Sequence, residues 1–287
     1  MQRKTALITG ANTGLGFEMA RALAAQGTHV VVAGRNRDKV QTAIDTIGNE
    51  VSDASLEAGI VDLNSLASVR EFAQAFRASH DALDVLINNA GVMVPPASRT
   101  EDGFETQFGV NFVAHFALTG HLFDLLNATD GGRIVTLSSI AHRGASVDFD
   151  NLRLEKSYEP WREYGQSKLA DLMFALELDR RLRAAGSPVL SLAAHPGVSQ
   201  TELTRNLGPV PDHITMMTPQ EGAAPALVAA TSPDAQGGQY WGPDGPEERS
   251  GKPGLAVVDG AALDDTVAAR LWDEAEGATG LLFSPGI

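Results

Sequence analysis

The sequence predicts an α/β protein: a doubly wound parallel sheet of about seven strands, with helices on both faces. Three observations carry that expectation. Short apolar runs alternate with longer amphipathic stretches along the chain, the pattern of strands buried on both faces and joined by crossover helices. The first run passes through a glycine-rich turn straight into a helical segment. Small polar residues follow several later runs, where the carboxyl ends of buried parallel strands bind ligands.

Taking the elements in order, Ala6–Ile8 is a first strand that enters Thr9-Gly10-Ala11-Asn12-Thr13-Gly14-Leu15-Gly16. Helical spacing then runs through Met19, Ala20 and Leu23 to Gly27, and His29–Ala33 is a second buried strand. Glycines in this context let a pyrophosphate approach the backbone at the helix N-terminus. Tight packing of the turn is the other use of the same residues. After the second strand comes Gly34-Arg35-Asn36-Arg37-Asp38-Lys39. The strand ends without an acid to take a ribose 2′-hydroxyl, whereas Arg35, with Asn36 beside it, suits a 2′-phosphate. NADP(H) is therefore the expected cofactor, and Asp38 reads as a first-turn acid of the helix Asp38–Ile47.

Leu56–Val61 is a third strand ending at Asp62-Leu63, and Ser65–Ser79 is the helix after it. Val85–Ile87 runs into Asn88-Asn89-Ala90-Gly91. Gly109–Leu126 is helical with Asn111 at its start, a position that usually caps. Arg133–Leu137 ends at Ser138-Ser139, and Val189–Ala194 precedes His195-Pro196-Gly197-Val198-Ser199-Gln200-Thr201. Pro219–Ala230 is a helix, Gly238–Gly242 a last short strand, and Leu263–Ala275 a closing helix containing Trp272. One domain spans residues 1–287, and the apolar stretch 199–218 reads as a lid.

Tyr164 and Lys168 stand one helical turn apart, just after Pro160 and two acids that favour a helix start. A surface pair without a task is one reading. The chemical reading is that a tyrosine, about one in a thousand ionised at pH 7, becomes a proton carrier when an ammonium favours its phenolate.

Composition narrows the classes. The chain of 287 residues is long enough for a sizeable core, with 43% hydrophobic and 20% charged residues. A net charge of -14 and no basic stripe argue against nucleic acid and anionic membranes. The absence of cysteine excludes disulfides, thiolate metal sites and cysteine nucleophiles. No run suits a signal-peptide core or a membrane span, so a cytoplasmic protein is expected. No His/Asp/Glu cluster at ligand spacing offers a metal site.

The motifs Thr9-Gly10-x-x-x-Gly14-x-Gly16, Asn88-Asn89-Ala90-Gly91, Ser139 and Tyr164-x-x-x-Lys168 together resemble the short-chain dehydrogenase/reductase family, a single-domain Rossmann fold. The resemblance implies catalytic roles for Asn111, Ser139, Tyr164 and Lys168. It implies that Gly10, Asn12, Thr13, Gly14, Leu15 and Gly16 hold the cofactor, with Asn89, Ala90 and Gly91 beside it. Asp62 with Leu63 would cap an adenine pocket, although a helix cap explains Asp62 as well. Pro196 and Gly197 would clamp the nicotinamide, Val198 would face its carboxamide and Thr201 would reach the phosphates. Tyr164 and Lys168 would also touch the cofactor. Asn111 would support a relay water through its backbone and fix the lysine.

Twenty-five positions separate Ser139 from Tyr164, a spacing that resembles the retinol dehydrogenase and protochlorophyllide reductase branch, with Asp148–Leu152 as counterparts. The lack of cysteine speaks against protochlorophyllide reductase. His142 and His195 read as structural. The reading favoured is an NADP(H)-dependent oxidoreductase interconverting an apolar carbonyl and its alcohol. The alternatives are a non-catalytic NADP-binding redox sensor and a nucleotide-sugar epimerase or dehydratase. Family members pair through the tyrosine-bearing helix, so a homo-oligomer is one expectation. Asp179, Arg180, Arg181 and Arg183 make the end of that helix polar and leave a monomer open.

Overall fold

The structure, a computed structural model, describes residues 3–201, 203 and 216–283. Its strands are β1 (Thr5–Thr9), β2 (His29–Gly34), β3 (Ser55–Ile60), β4 (Val85–Asn88), β5 (Arg133–Leu137), β6 (Leu190–Ala194), β7 (Tyr240–Pro243) and β8 (Pro253–Leu255). They form one sheet in the order β3-β2-β1-β4-β5-β6-β7-β8. β1 to β7 are parallel; β8 pairs antiparallel with β7. Seven strands were expected. The eighth lies in a proline- and glycine-dense stretch that hides strand periodicity.

The principal helices are α1 (Gly14–Ala25), α2 (Arg37–Glu50), α3 (Leu66–Ser79), α4 (Thr106–Phe108), α5 (Ala114–Asn127), α6 (Pro160–Ala184), α7 (Pro219–Thr231) and α8 (Asp265–Thr279). Alternation along each strand divides the core. Ala6, Ile8, Val30 and Val32 point with Val135 and Leu192 toward α1, α2 and α7. Leu7, Val31, Leu86 and Ile134 point the other way, toward α3, α5, α6 and α8. A sheet covered on both faces can afford nearly continuous apolar strands. Among the described residues, no helix is long and apolar enough to cross a membrane.

The strand order reverses between β1 and β4, so the connections leaving their carboxyl ends diverge and open a crevice. Ile8 at the end of β1 is level with Val32 and Ile87 on its two neighbours. The turns after β1, β2 and β4 therefore converge on one edge.

Two local departures from expectation matter. The helix anticipated from Gly109 is π-helical over Gly109–Val113, between α4 and α5. The segment between Ser139 and Tyr164 is fastened rather than loose. Asn151 and Leu152 are buried, the Asn151 amide donates to the Ser157 carbonyl at 3.0 Å, and Glu105 N–H donates to Leu152 O at 2.9 Å. Of the lid expected over 199–218, residues 202 and 204–215 lie outside the described residues.

His29, Glu57 and His80 come from three separate elements, and their ligand atoms all lie within 4.8 Å of one another. Sequence spacing could not show a cluster assembled by sheet pairing.

Candidate active site

The crevice at the sheet's carboxyl edge encloses ≈ 270 Å³. Gly10, Asn12, Thr13, Gly14, Leu15 and Gly16 line it, with Arg35, Asp62, Leu63, Asn89, Ala90, Gly91 and Thr201. All thirteen were singled out from the sequence. The two outer glycines of the motif answer to packing. Gly10 sits at φ +65, and a Cβ on Gly16 would run into the Gly10 carbonyl oxygen. Gly14, at φ +56, faces Thr201, whose Cβ would be 3.5 Å from a Cβ placed there.

α1 starts at this turn. Its N-cap, Thr13, makes no side-chain capping bond, and its first turn carries no acid. Helix N-termini leave N–H groups unpaired and carry positive potential. This turn therefore fits the pyrophosphate of a dinucleotide. Arg35 is exposed at the end of β2 and, among the described residues, takes part in no ion pair. Asn36 is spoken for in part, since its side chain accepts from Lys39 N–H as the cap of α2. Asp38 stands in the first turn of α2, as read. Asp62 accepts from Asn64 N–H at 2.9 Å, whereas Asp102 accepts from Leu66 N–H at the start of α3.

Thr9 ties the two innermost turns together. Its hydroxyl oxygen accepts from Asn89 N–H at 2.9 Å and Ala90 N–H at 3.0 Å, while the Asn89 amide donates to Thr9 O at 2.7 Å. The same hydroxyl lies 2.9 Å from His115 Nε2. His115 Nδ1 is 2.7 Å from the Asn111 carbonyl, which can only accept. Nδ1 therefore carries the proton, Nε2 accepts from Thr9, and the buried ring is neutral, its pKa lowered to about 4 by burial. His115 escaped sequence reading because a histidine on an apolar helix gives no signal. Its place four residues after Asn111 could have suggested the contact.

The Asn111 side chain grips both sides of the crevice wall. It accepts from Val92 N–H at 2.8 Å and donates to Val92 O at 3.0 Å and Ser167 Oγ at 2.9 Å. It reaches Ser167, the neighbour of Lys168, rather than the lysine that resemblance assigned to it. Its carbonyl is engaged by His115.

Tyr164 and Lys168 lie on α6, where Pro160 opens the helix and Glu159 caps it. Both side chains are buried, with Lys168 Nζ 6.0 Å from the tyrosine ring centre. Ser139, half-buried after β5, stands near enough to the phenol to lower its pKa, and its hydroxyl accepts from Ala141 N–H at 3.2 Å. Ser138 instead donates to Lys168 O at 2.7 Å, clamping strand end to helix. Lys168 Nζ donates to Leu137 O at 2.9 Å and to Asp171 Oδ2 at 2.8 Å. Gly91 links this group to the crevice, since a Cβ there would stand 3.8 Å from Lys168 Nζ.

Burial raises the Tyr164 pKa against the lowering effects of Lys168 and Ser139, and Asp171 adds to the rise. The chain alone therefore does not yield the depressed phenol expected from the Tyr-Lys spacing, because desolvation outweighs the ammonium. Burial opposes the Lys168 ammonium, yet Asp171 and Tyr164 hold its pKa above the ordinary value. Burial also pushes Asp171 up to about 7, with Lys168 opposing. Asp171 went unnoticed in the sequence because an acid in a helix ordinarily faces water.

Pro196 and Gly197 follow β6, with Gly197 at φ +59 close under the Arg249 carbonyl. Val198 donates N–H to Arg249 O at 2.7 Å and accepts from Met217 N–H at 2.8 Å. Both its backbone groups are thus occupied, leaving only its side chain to face a carboxamide. The two histidines read as structural both engage neighbouring groups of the chain. His142 Nδ1 donates to Ser139 O at 2.6 Å, and His195 takes Gly197 N–H at 3.2 Å while reaching Glu248 at 3.0 Å.

A dinucleotide-fitting crevice against a buried tyrosine–lysine pair is the arrangement of an NAD(P)-dependent oxidoreductase of alcohols and carbonyls. The chain matches the short chain dehydrogenase family over residues 4–211 and belongs to it. It is 39% identical over 298 residues to retinol dehydrogenase 13 of Mus musculus, covering 99% of this chain and 86% of that protein. It is 40% identical over 290 residues to the polyprenol dehydrogenase of Mus musculus, covering 96% and 84%. A crystal structure of an uncharacterized protein from Mycobacterium paratuberculosis matches with a TM-score of 0.83 at 40% identity, covering 98% of this chain and 94% of that one.

Proposed function

We propose that the protein interconverts an apolar aldehyde or ketone and its alcohol, with NADP(H) as cofactor and Tyr164 as general acid/base. The observation that carries this reading is the buried pair of Tyr164 and Lys168, with half-buried Ser139 near the phenol, beside Gly91 of the crevice. NADPH, when bound, supplies the hydride. Ser139 donates a hydrogen bond to the substrate oxygen, where negative charge develops during reduction. Tyr164 gives that oxygen its proton, and Lys168 stabilises the phenolate left behind. The clamp of Thr9, His115 and Asn111 holds the Asn89 turn, keeping the crevice wall in register with α6.

Arg35 supports the phosphate-bearing cofactor, because a guanidinium fork without an ion-pair partner among the described residues matches a phosphate's geometry. The apolar substrate is supported by Trp161, 51% exposed with its ring 6.1 Å from that of Tyr164. Two relatives named for retinol and polyprenol, both apolar alcohols, agree with it.

The decisive experiment follows NADPH oxidation against aldehydes and ketones graded by chain length and ring size. Turnover of apolar members is expected, with Tyr164→Phe abolishing it while NADPH still binds. Arg35→Ala should weaken NADPH binding at least ~10-fold more than NADH binding. Inactivity across the whole panel would defeat the enzymatic reading, and equal loss of both cofactors would defeat the role of Arg35.

A further inference from the structure

We infer that His29, Glu57 and His80 form a binding site for a divalent transition metal, best suited to zinc, at the edge of the sheet opposite the crevice. His29 opens β2, Glu57 lies on β3, and His80 caps the C-terminus of α3. Ser55 and His29 are cross-strand partners, as are Glu57 and Val31. The crevice uses the other end of β2, at Gly34 and Arg35.

Three features set this cluster apart from an ordinary surface ion pair. The first is distance. His29 Nε2 and His80 Nε2 stand 3.4 and 3.3 Å from the same carboxylate oxygen, Glu57 Oε2. Ligand atoms around a tetrahedral zinc with bonds of ≈ 2.0–2.1 Å are separated by about 3.3–3.4 Å. Two of the edges already have the length a metal would impose, and the two imidazole nitrogens are within 4.8 Å of each other.

The second is the outer contact of each ring. His80 Nδ1 is 3.2 Å from the Phe76 carbonyl and 3.0 Å from Ser79 Oγ, and His29 Nδ1 is 2.9 Å from Ser55 Oγ. Because a carbonyl only accepts, His80 carries its proton on Nδ1. Such a bond orients metal-binding imidazoles and leaves Nε2 as the ligand. His80 is also stacked on Phe76, with ring centres 4.1 Å apart. The ring is held before any ion arrives.

The third is electrostatic. Two imidazole nitrogens and a carboxylate oxygen converge within 4.8 Å of one another, where positive charge between them is favoured. Protons can supply it pairwise; a divalent ion satisfies all three at once. With side chains 22% exposed at His29, 10% at His80 and 44% at Glu57, water can complete the coordination. Two histidines and a carboxylate are a donor set that zinc accepts readily, and the net charge of -14 favours cations generally.

Bound metal would tie β2, β3 and the end of α3 together without touching the crevice. The test is zinc titration of the full chain, followed by calorimetry and by thermal unfolding with and without zinc chloride. Wild type is expected to take up one zinc per chain and to unfold at a higher temperature with zinc present. Binding should weaken at least ~10-fold in His80→Ala and in Glu57→Gln. NADPH affinity serves as the folding control and should be unchanged in both. Glu57→Gln preserves shape at a partly exposed position, so it gives an answer even where His80→Ala fails to fold. Failure of wild type to bind zinc saturably, or binding of equal strength in Glu57→Gln, would overturn the assignment, the latter by showing that other histidines hold the ion.

Discussion

Lys168 Nζ and Asp171 Oδ2 lie 2.8 Å apart within one buried turn of α6. The lysine that serves Tyr164 therefore divides its charge between a phenol and a carboxylate. Among the described residues Asp171 Oδ1 has no hydrogen-bond partner, which leaves the carboxylate reliant on Lys168. Above its pKa of about 7 it is charged and opposes ionisation of Tyr164.

Asp171→Asn should lower the Tyr164 pKa, because it removes a negative charge that raises it. Alcohol oxidation needs the phenolate, so the midpoint of its rise with pH should move down by ~0.5–1 pH unit. The pH dependence of kcat/KM for oxidation measures this. A midpoint that stays put or moves up would show that Asp171 does not act on the tyrosine.

His115→Phe should keep the volume of the ring but leave the Asn111 carbonyl without its imidazole donor and the Thr9 hydroxyl with only the Ile87 carbonyl, at 3.4 Å, as acceptor. Each buried polar group left unsatisfied costs about 1–3 kcal/mol. Urea unfolding should show a loss of ~2–4 kcal/mol, and NADPH should bind more weakly because Thr9 carries the Asn89 turn. A variant as stable as wild type would remove His115 from the clamp.

Glu105 is fully buried and its pKa is pushed up to about 7 by burial, partly offset by hydrogen bonds from Gln107 and Phe108. The folded state keeps its proton where the unfolded chain has released it, so stability falls as pH rises from about 4.5 to 7. Glu105→Gln cannot ionise. It should match wild type near pH 4 and exceed it at pH 8 by on the order of 1–3 kcal/mol. His115 and His195, both lowered to about 4 by burial, act in the opposite sense and lose stability as pH falls. Only the difference between variant and wild type isolates Glu105. Denaturant melts at the two pH values give it, and a constant difference would contradict the titration.

Trp161→Ala should raise KM for long or cyclic carbonyls by about 5- to 10-fold, equivalent to roughly 1 kcal/mol of lost apolar contact. Small carbonyls and NADPH should be nearly unaffected. Steady-state kinetics across the graded panel decides the matter, and equal changes for short and long substrates would remove the ring from the substrate path.

The fold was legible because its periodicities are local: Ala6–Ile8, Val30–Ala33 and Ile134–Val135 are unbroken apolar runs. The crevice was legible because a glycine turn and the Asn89 turn each sit directly after a strand. Features that depend on distant residues meeting were not. Asp171 reads as a surface acid until α6 is seen buried around it. Resemblance alone singled out Ser139 of the two serines, and the bond from Ser138 to the Lys168 carbonyl gives Ser138 a separate task. The π-helical turn at Asn111 has the composition of ordinary helix, and its hydrogen bonds set it apart. Asp62 keeps two readings: Leu66 N–H at the start of α3 donates to Asp102, while Asp62 accepts from Asn64 N–H and also lines the crevice.

From Glu163 through Ala175, every residue of α6 is buried. Amide protons there have no local route to water, so their exchange with solvent has to await opening of the whole domain. The segment bearing Tyr164 and Lys168 should accordingly rank among the slowest-exchanging parts of the protein. Chemistry and folding are thereby written into the same turns of helix: a change that loosens one cannot leave the other untouched.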